Sequence, residues 1–264
     1  MTDLEVVLVS VLAVVLLLTG RLLRRESLKR RRMRNADRRG MIPIAKIPIT
    51  AVDEAFAVGP MGPDRERTEV AMLGGGGVVV PGSTTDFEAW ILAVLAKQAH
   101  RMFEFGTCTG RTAYLWARNS PPDGKVTTLT LGPEQQALYE ASEDDRLEDT
   151  EVALEESSFE TFLYSGTDVA LKIEQLFGDS KAFDETPYID QMDLIFVDGS
   201  HAYSYVISDS RKALRMIRSG GLVLWHDYDG PLAGRGTDEA LVELAGELPL
   251  RHIEQTRMVV YRAP

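Results

Sequence analysis

Apolar positions recur along this chain in three different patterns. The first is a continuous run from Leu4 to Leu23, uncharged between Val6 and Gly20 and made mostly of Val and Leu. Twenty residues of helix rise about 30 Å, the thickness of a bilayer's hydrocarbon core. The run predicts a transmembrane helix within residues 1–23. The second pattern has helical spacing. Thr85-Asp86-Phe87-Glu88 has capping-box spacing and opens a helix to about Gln98, with Phe87, Ile91, Leu92 and Leu95 on one face. The third is an alternation of short apolar strands with helices. Strands are expected over 102–105, 125–131, 173–177, 193–197, 222–225, 251–255 and 258–262, with helices over 111–118, 134–143, 204–218 and 237–247. Such alternation implies a mostly parallel, doubly wound α/β sheet, and the two successive strands at the end add an antiparallel edge.

Two stretches fit none of these patterns. Residues 41–82 carry Pro43, Pro48, Pro60, Pro63, Pro81 and the run Gly74 to Gly77, a composition expected of linker. Residues 144–172 are acidic and weakly periodic, compatible with a helical insertion or a cap on the substrate side. The chain is therefore expected to divide into an anchor (1–23), a basic juxtamembrane segment and linker (24–82) and a folded body (83–264).

Charge sharpens this division. Residues 1–40 hold ten Lys and Arg against four Asp and Glu, while the whole chain carries a net charge of -11. The body is thus strongly acidic, which disfavours a nucleic-acid partner. The basic residues cluster between Arg21 and Arg39, directly after the apolar run. Basic flanks stay in the cytoplasm, so the expected arrangement is single-pass with a cytoplasmic body. A cleaved secretory leader would need a positive segment before the apolar run and small residues after it, the reverse of what is present. The single cysteine, Cys108, rules out an internal disulfide.

Candidate chemistry falls at strand ends, where ligands bind in open α/β sheets. Glu104-Phe105-Gly106-Thr107-Cys108-Thr109-Gly110 follows the first strand of the alternating region and leads into a helix. Its glycines allow close approach to the backbone, and the helix start offers free N–H groups. The G-x-x-x-G spacing differs from the G-x-G-x-x-G of dinucleotide sites, which argues against a nicotinamide oxidoreductase. Asp198-Gly199-Ser200-His201-Ala202-Tyr203 follows the fourth strand, and His226-Asp227-Tyr228 the fifth, each placing a carboxylate and a histidine at a strand mouth.

Together these three motifs resemble the class I S-adenosylmethionine-dependent methyltransferases, in particular the branch with FEFGT-x-TGRT, VDGSH-x-Y and WHDY motifs. The likeness spans about residues 80–262. It implies a seven-stranded Rossmann-like sheet with a reversed final hairpin. It also implies S-adenosyl-L-methionine as cofactor, cradled by Gly106, Thr107 and Gly110 and helped by Glu104. Gly178-Asp179-Ser180 would flank the adenine, and Asp198 would lie beside the methionine part or a metal. The family's acidic ribose-binding position is Thr130 here, a departure that keeps open a non-catalytic binding or scaffold protein. For O-methyl transfer, His226 or His201 could serve as base. Alternatively Asp198 and Asp227 could hold a divalent cation such as Mg. The expected acceptor is a small molecule or a lipid- or glycan-linked group at the membrane. Oligomeric state is not legible.

Overall fold

Strands buried on both faces are mostly apolar, and the central segments of this chain are so apart from a few polar positions such as Glu104 and Thr128. A computed structural model describes residues 43–264 apart from 60, 61, 64–67, 71–79, 83 and 144. The expected anchor and most of the basic segment lie outside the described residues. Among those described, no helix is long and apolar enough to cross a membrane.

The strands are β1 (Lys46–Ile47), a small antiparallel pair β2 (Val58–Gly59) and β3 (Gly62–Pro63), then β4 (Arg101–Phe105), β5 (Lys125–Thr130), β6 (Ile173–Phe177), β7 (Met192–Val197), β8 (Ile217–Trp225), β9 (Arg251–Ile253) and β10 (Val259–Arg262). The helices are α1 (Asp86–Ala96), α2 (Arg111–Asn119), α3 (Leu147–Glu156), α4 (Tyr203–Met216) and α5 (Gly236–Ala245). Eight strands form the main sheet in the order β1-β9-β10-β8-β7-β4-β5-β6. Strands β4 to β8 run parallel, and β10 pairs antiparallel with both β8 and β9.

Side chains alternate across the sheet, as strand geometry requires. Met102, Val126, Leu194, Phe196 and Leu224 pack with Ile91, Leu92 and Trp116 of α1 and α2. Phe103, Phe105, Ile195, Val223 and Trp225 pack on the other face with Val206, Met216 and Leu241 of α4 and α5. The chain moves outward one way from β4 through β5 to β6, and the other way from β7 to β8. Strand order therefore reverses between β4 and β7, which fixes the position of the ligand crevice.

Four expectations are corrected. The sheet has eight strands rather than seven, because β1 pairs in parallel with β9 through Lys46↔His252 and Ile47↔Ile253. The lead-in is accordingly not all linker: Val52, Ala55 and Phe56 are buried in the core, so the body begins well before residue 83. Phe87 does not join the buried face of α1 but stays 39% exposed, stacked on Trp90 at 6.0 Å. The helix expected over 134–143 is a short 3-10 segment, Pro133–Leu138, and the helical weight lies instead in α3, within the acidic stretch.

Candidate active site

The turn after β4 is shaped by two glycines that no other residue could replace without strain. Gly106 has φ +97, and a Cβ there would lie 2.1 Å from the Asp198 carbonyl oxygen, so the β4 and β7 loops touch through it. Gly110 has φ +80 and caps α2, and a Cβ there would meet the Tyr164 ring at 2.7 Å. Both are positions where only glycine is unstrained.

Behind this turn runs a buried chain of polar groups. Thr128 donates its hydroxyl to Glu104 at 2.6 Å, and the Thr107 and Thr128 hydroxyls are 2.7 Å apart. The Gln175 amide donates to Thr107 at 3.1 Å, and the Tyr164 hydroxyl to Gln175 at 2.5 Å. Burial raises the Glu104 pKa to about 8, Asp198 adding to the rise and Thr128 opposing it. Glu104 therefore holds a proton at neutral pH and orders the turn through Thr128.

The ends of β7 and β8 meet in a second cluster. His226 sets Nδ1 3.1 Å from Asp198 and 3.4 Å from Asp227, with Nε2 3.3 Å from Glu88. His201 sets Nε2 2.7 Å from the same Asp227 oxygen, Oδ2, and Arg257 lies 2.7 Å from Asp227 Oδ1. Asp227 adopts φ 64, the left-handed region that carries strain for a non-glycine residue, and the cluster holds it there. Burial works against the charge on His226, but Asp198, Asp227 and Glu88 outweigh it and raise its pKa well above the usual value. Burial likewise pushes Glu88 up, but the His226 ring and the Arg257 and Thr85 N–H groups bring it down to about 2. Asp227 is held below the carboxylate range by its two histidines, despite burial.

Between the two clusters lies a narrow cleft at the carboxyl ends of β4, β5 and β7. Gly106, Thr130, Ser180 and Asp198 line it. Glu104, Thr107 and Gly110 are not on its wall and shape it from behind. Asp179 turns away, accepting the Lys181 N–H at 3.0 Å and facing an adjoining groove with Phe177. His201, His226 and Asp227 gather beside Asp198 at the edge of the cleft. α3 forms the roof through Ala153, Glu156 and Ser157. Its ends are pinned by Asp149, which accepts the Gly236 N–H at 3.0 Å, and by the Gln136 amide, which donates to Leu154 O at 2.8 Å.

Sequence reasoning missed five site residues. Glu88 was legible only as a capping residue, yet it also receives His226 and the Arg257 N–H. Arg235 and Arg257 lie in loops with no periodic signal. Glu156 sits in the acidic stretch, where burial raises its pKa to about 7, with Asp198 and Asp227 adding to the rise. Asp209 had a usable signal: on α4 it falls on the face of Tyr205, Val206, Ala213 and Met216, where an apolar residue belongs.

Two bound groups can be tested against these residues. The polar groups on the cleft wall, Thr130, Ser180 and Asp198, match the chemistry of an extended nucleoside–amino-acid ligand. A divalent cation fits less well. Asp198, His226 and Asp227 offer ligand atoms within 4.8 Å of one another. However, both Asp227 oxygens already face His201, His226 or Arg257, so a cation there would have to displace those contacts.

Strand order, the glycine turn and the two strand-end motifs define a Rossmann-like methyltransferase fold. Residues 103–228 match the family model described as a methyltransferase domain. The O-methyltransferase TomG from Streptomyces achromogenes, in complex with SAM, is similar in structure at 18% identity and a TM-score of 0.47, covering 69% of this chain and 82% of that one. The O-methyltransferase from Bacillus cereus, in complex with SAH, is similar at 15% identity and a TM-score of 0.46, covering 70% of this chain and 84% of that one. No curated protein matches the sequence.

Proposed function

We propose that this chain transfers a methyl group from S-adenosylmethionine to an acceptor oxygen, with the His201–Asp227 pair taking the acceptor's proton. The observation that carries the reading is the convergence of the Gly106 turn, Asp198 and the His201–Asp227 pair on one rim of the sheet. When bound, the cofactor supplies a methyl group already activated on a sulfonium. The protein's task is then alignment of the acceptor and removal of a proton. Gly106, Thr130, Ser180 and Asp198 hold the cofactor, and Glu104 holds the Gly106 turn in place through Thr128.

Of the two histidines, His201 is the better base. His226 commits both ring nitrogens to carboxylates, and its raised pKa keeps it charged. It acts as the positive centre that lets Glu88, Asp198 and Asp227 share a buried site. His201 commits only Nε2, to Asp227, which fixes the ring and leaves Nδ1 to accept the proton. The His201 pKa is raised, as Asp227 and Glu156 overcome the effect of burial. The rate should therefore climb with pH above the usual histidine range as the imidazolium loses its proton. The existing contacts of Asp227 with His201, His226 and Arg257 support a reading in which the histidine rather than a cation handles the proton.

The acceptor is proposed to be a small molecule or a group presented at a membrane. The apolar run over 4–23 and the arginines after it support tethering with the body on the cytoplasmic side. Removal of residues 1–42 should shift the protein from the membrane pellet to the supernatant.

Titration calorimetry with S-adenosylhomocysteine tests the core of the reading. Binding in the micromolar range is expected, and no binding at millimolar ligand overturns it. The base is tested by His201→Asn in a methyl-transfer assay. The expected loss in kcat is about 10²- to 10⁴-fold with ligand affinity unchanged. Full activity in that variant removes His201 from the mechanism.

A further inference from the structure

His201 lies on the turn between β7 and α4, and that turn is not held by its own residues. Helix α4 opens at Ala202, which has no side-chain oxygen to cap it. The first amides of a helix need an acceptor from outside. Here it comes from 59 positions upstream, where Asp145 accepts the Ser204 N–H at 2.8 Å. Asp145 also accepts the Ser204 hydroxyl at 2.5 Å and the Ser142 N–H at 2.7 Å. Burial works against its charge, but the Ser142 and Ser204 donors outweigh it and lower its pKa. A charged carboxylate is the group that a helix start favours.

The other flank of the turn rests on α5. A Cβ on Gly236 would lie 2.4 Å from the His201 carbonyl oxygen and 2.3 Å from the Tyr203 nitrogen, so the first residue of α5 touches the His201 backbone directly. Gly236 is held there by the buried Asp149, which accepts its N–H at 3.0 Å. Arg146, between the two aspartates, donates to the Gly234 carbonyl. The Tyr139 hydroxyl is 2.8 Å from that of Ser200, the residue before His201. One stretch of chain, 139–149, thus grips the His201 turn from both flanks. The same stretch runs on into α3, whose Glu156 lines the cleft.

We propose that Asp145 and Asp149 are positioning residues for His201. They fasten the roof of the cleft to the two helix starts that hold the His201 backbone, so the ring meets Asp227 only when the roof is seated. The assignment rests on the reading of His201 as the base. A roof that lifts takes with it the cap of α4 and the support of α5. Proton removal is thereby confined to the covered state of the cleft, where the acceptor is enclosed.

The test reads the His201 ring by NMR in the full-length protein labelled at histidine, which has four such residues. The His201 signal is assigned by its absence from His201→Asn. In Asp149→Ala and in Asp145→Ala that signal should leave its parent position and approach that of a histidine free in water, because the bond to Asp227 loosens. The His100 signal should stay in place, since His100 is exposed before β4 at the opposite rim and paired with Asp123. Asp149→Asn keeps an oxygen for the Gly236 N–H and should hold the His201 signal near its parent position. Asp145 is less buried than Asp149, so its alanine variant carries the test if the other fails to fold. An unmoved His201 signal in the alanine variants overturns the proposal. Equal movement of His201 and His100 also overturns it, because that marks general loosening. A displacement in Asp149→Asn as large as in Asp149→Ala rejects the hydrogen-bonded clamp. Full methyl transfer by His201→Asn is a different result, which removes the base reading whatever the ring signals show.

Discussion

Gly106 lies where two loops are pressed together, and its missing Cβ is what lets them meet. Alanine there would need a left-handed backbone and would overlap the Asp198 carbonyl. Gly106→Ala should destabilise the fold by about 3 kcal/mol, combining backbone strain with overpacking. A thermal melt reads the effect, and a midpoint within 2 °C or so of the parent would contradict it. At this scale the sequence was informative wherever a residue type is rare for its setting. Glycines directly after a strand, and Asp–His pairs at strand mouths, marked Gly106, Asp198, His201, His226 and Asp227. Which histidine keeps a nitrogen free was not legible, because the answer lies in Glu88, more than a hundred positions away. Arg257 was equally hidden: nothing local marks a turn arginine as the partner of Asp227.

At the scale of elements, α1 shows how one local signal serves two purposes. Thr85 and Glu88 form the capping box expected from their spacing, with the Thr85 N–H donating to Glu88 at 2.9 Å and the Glu88 N–H to Thr85 at 3.3 Å. The same Glu88 carboxylate reaches His226, so the helix start and the histidine cluster are built on one side chain. Thr85→Ala should cost about 1 kcal/mol, the usual effect of losing a cap. It should also loosen Glu88, seen as a shift in the His226 ring resonances by NMR. An unchanged melting temperature would show that the cap carries no weight. Boundaries were legible where capping or strand chemistry is strong, as at α1, β4 and β7. They failed over 134–143 and 144–172, where the helical signal is weak and tertiary contacts decide. The roof helix α3 is held by Asp149 and Gln136, partners remote in sequence that no periodicity reports.

For the molecule as a whole, the mostly parallel, doubly wound sheet and its antiparallel closing hairpin were readable, because short apolar strands alternating with helices leave few architectures. The eighth strand was not, since two residues of β1 carry no pattern of their own and gain their conformation only from β9. The buried acids set the response of the whole fold to pH. Glu104, Glu156 and Asp209 have pKa values raised to about 8, 7 and 7 by burial. Unfolded, each would release its proton nearer 4, so between there and about pH 8 the folded state binds more protons. Stability should fall as pH rises through that window. Glu88 acts in the opposite sense: its pKa of about 2 adds stability above the ordinary glutamate range, lost as pH falls towards 2. The melting temperature should therefore peak at about pH 5 and decline towards pH 8, and Glu104→Gln should flatten the decline. A midpoint constant or rising over that window would refute this assignment.

The short pairing of β1 with β9 has a practical corollary. Strands on a sheet margin display bare amide and carbonyl groups that recruit other chains. Here two lead-in residues act as a selvage along β9, fastened by Val52, Ala55 and Phe56 beneath them. A fragment trimmed to the recognisable catalytic motifs would fray at that margin and stick to its own copies. Expression boundaries placed ahead of residue 43 would keep the hem intact.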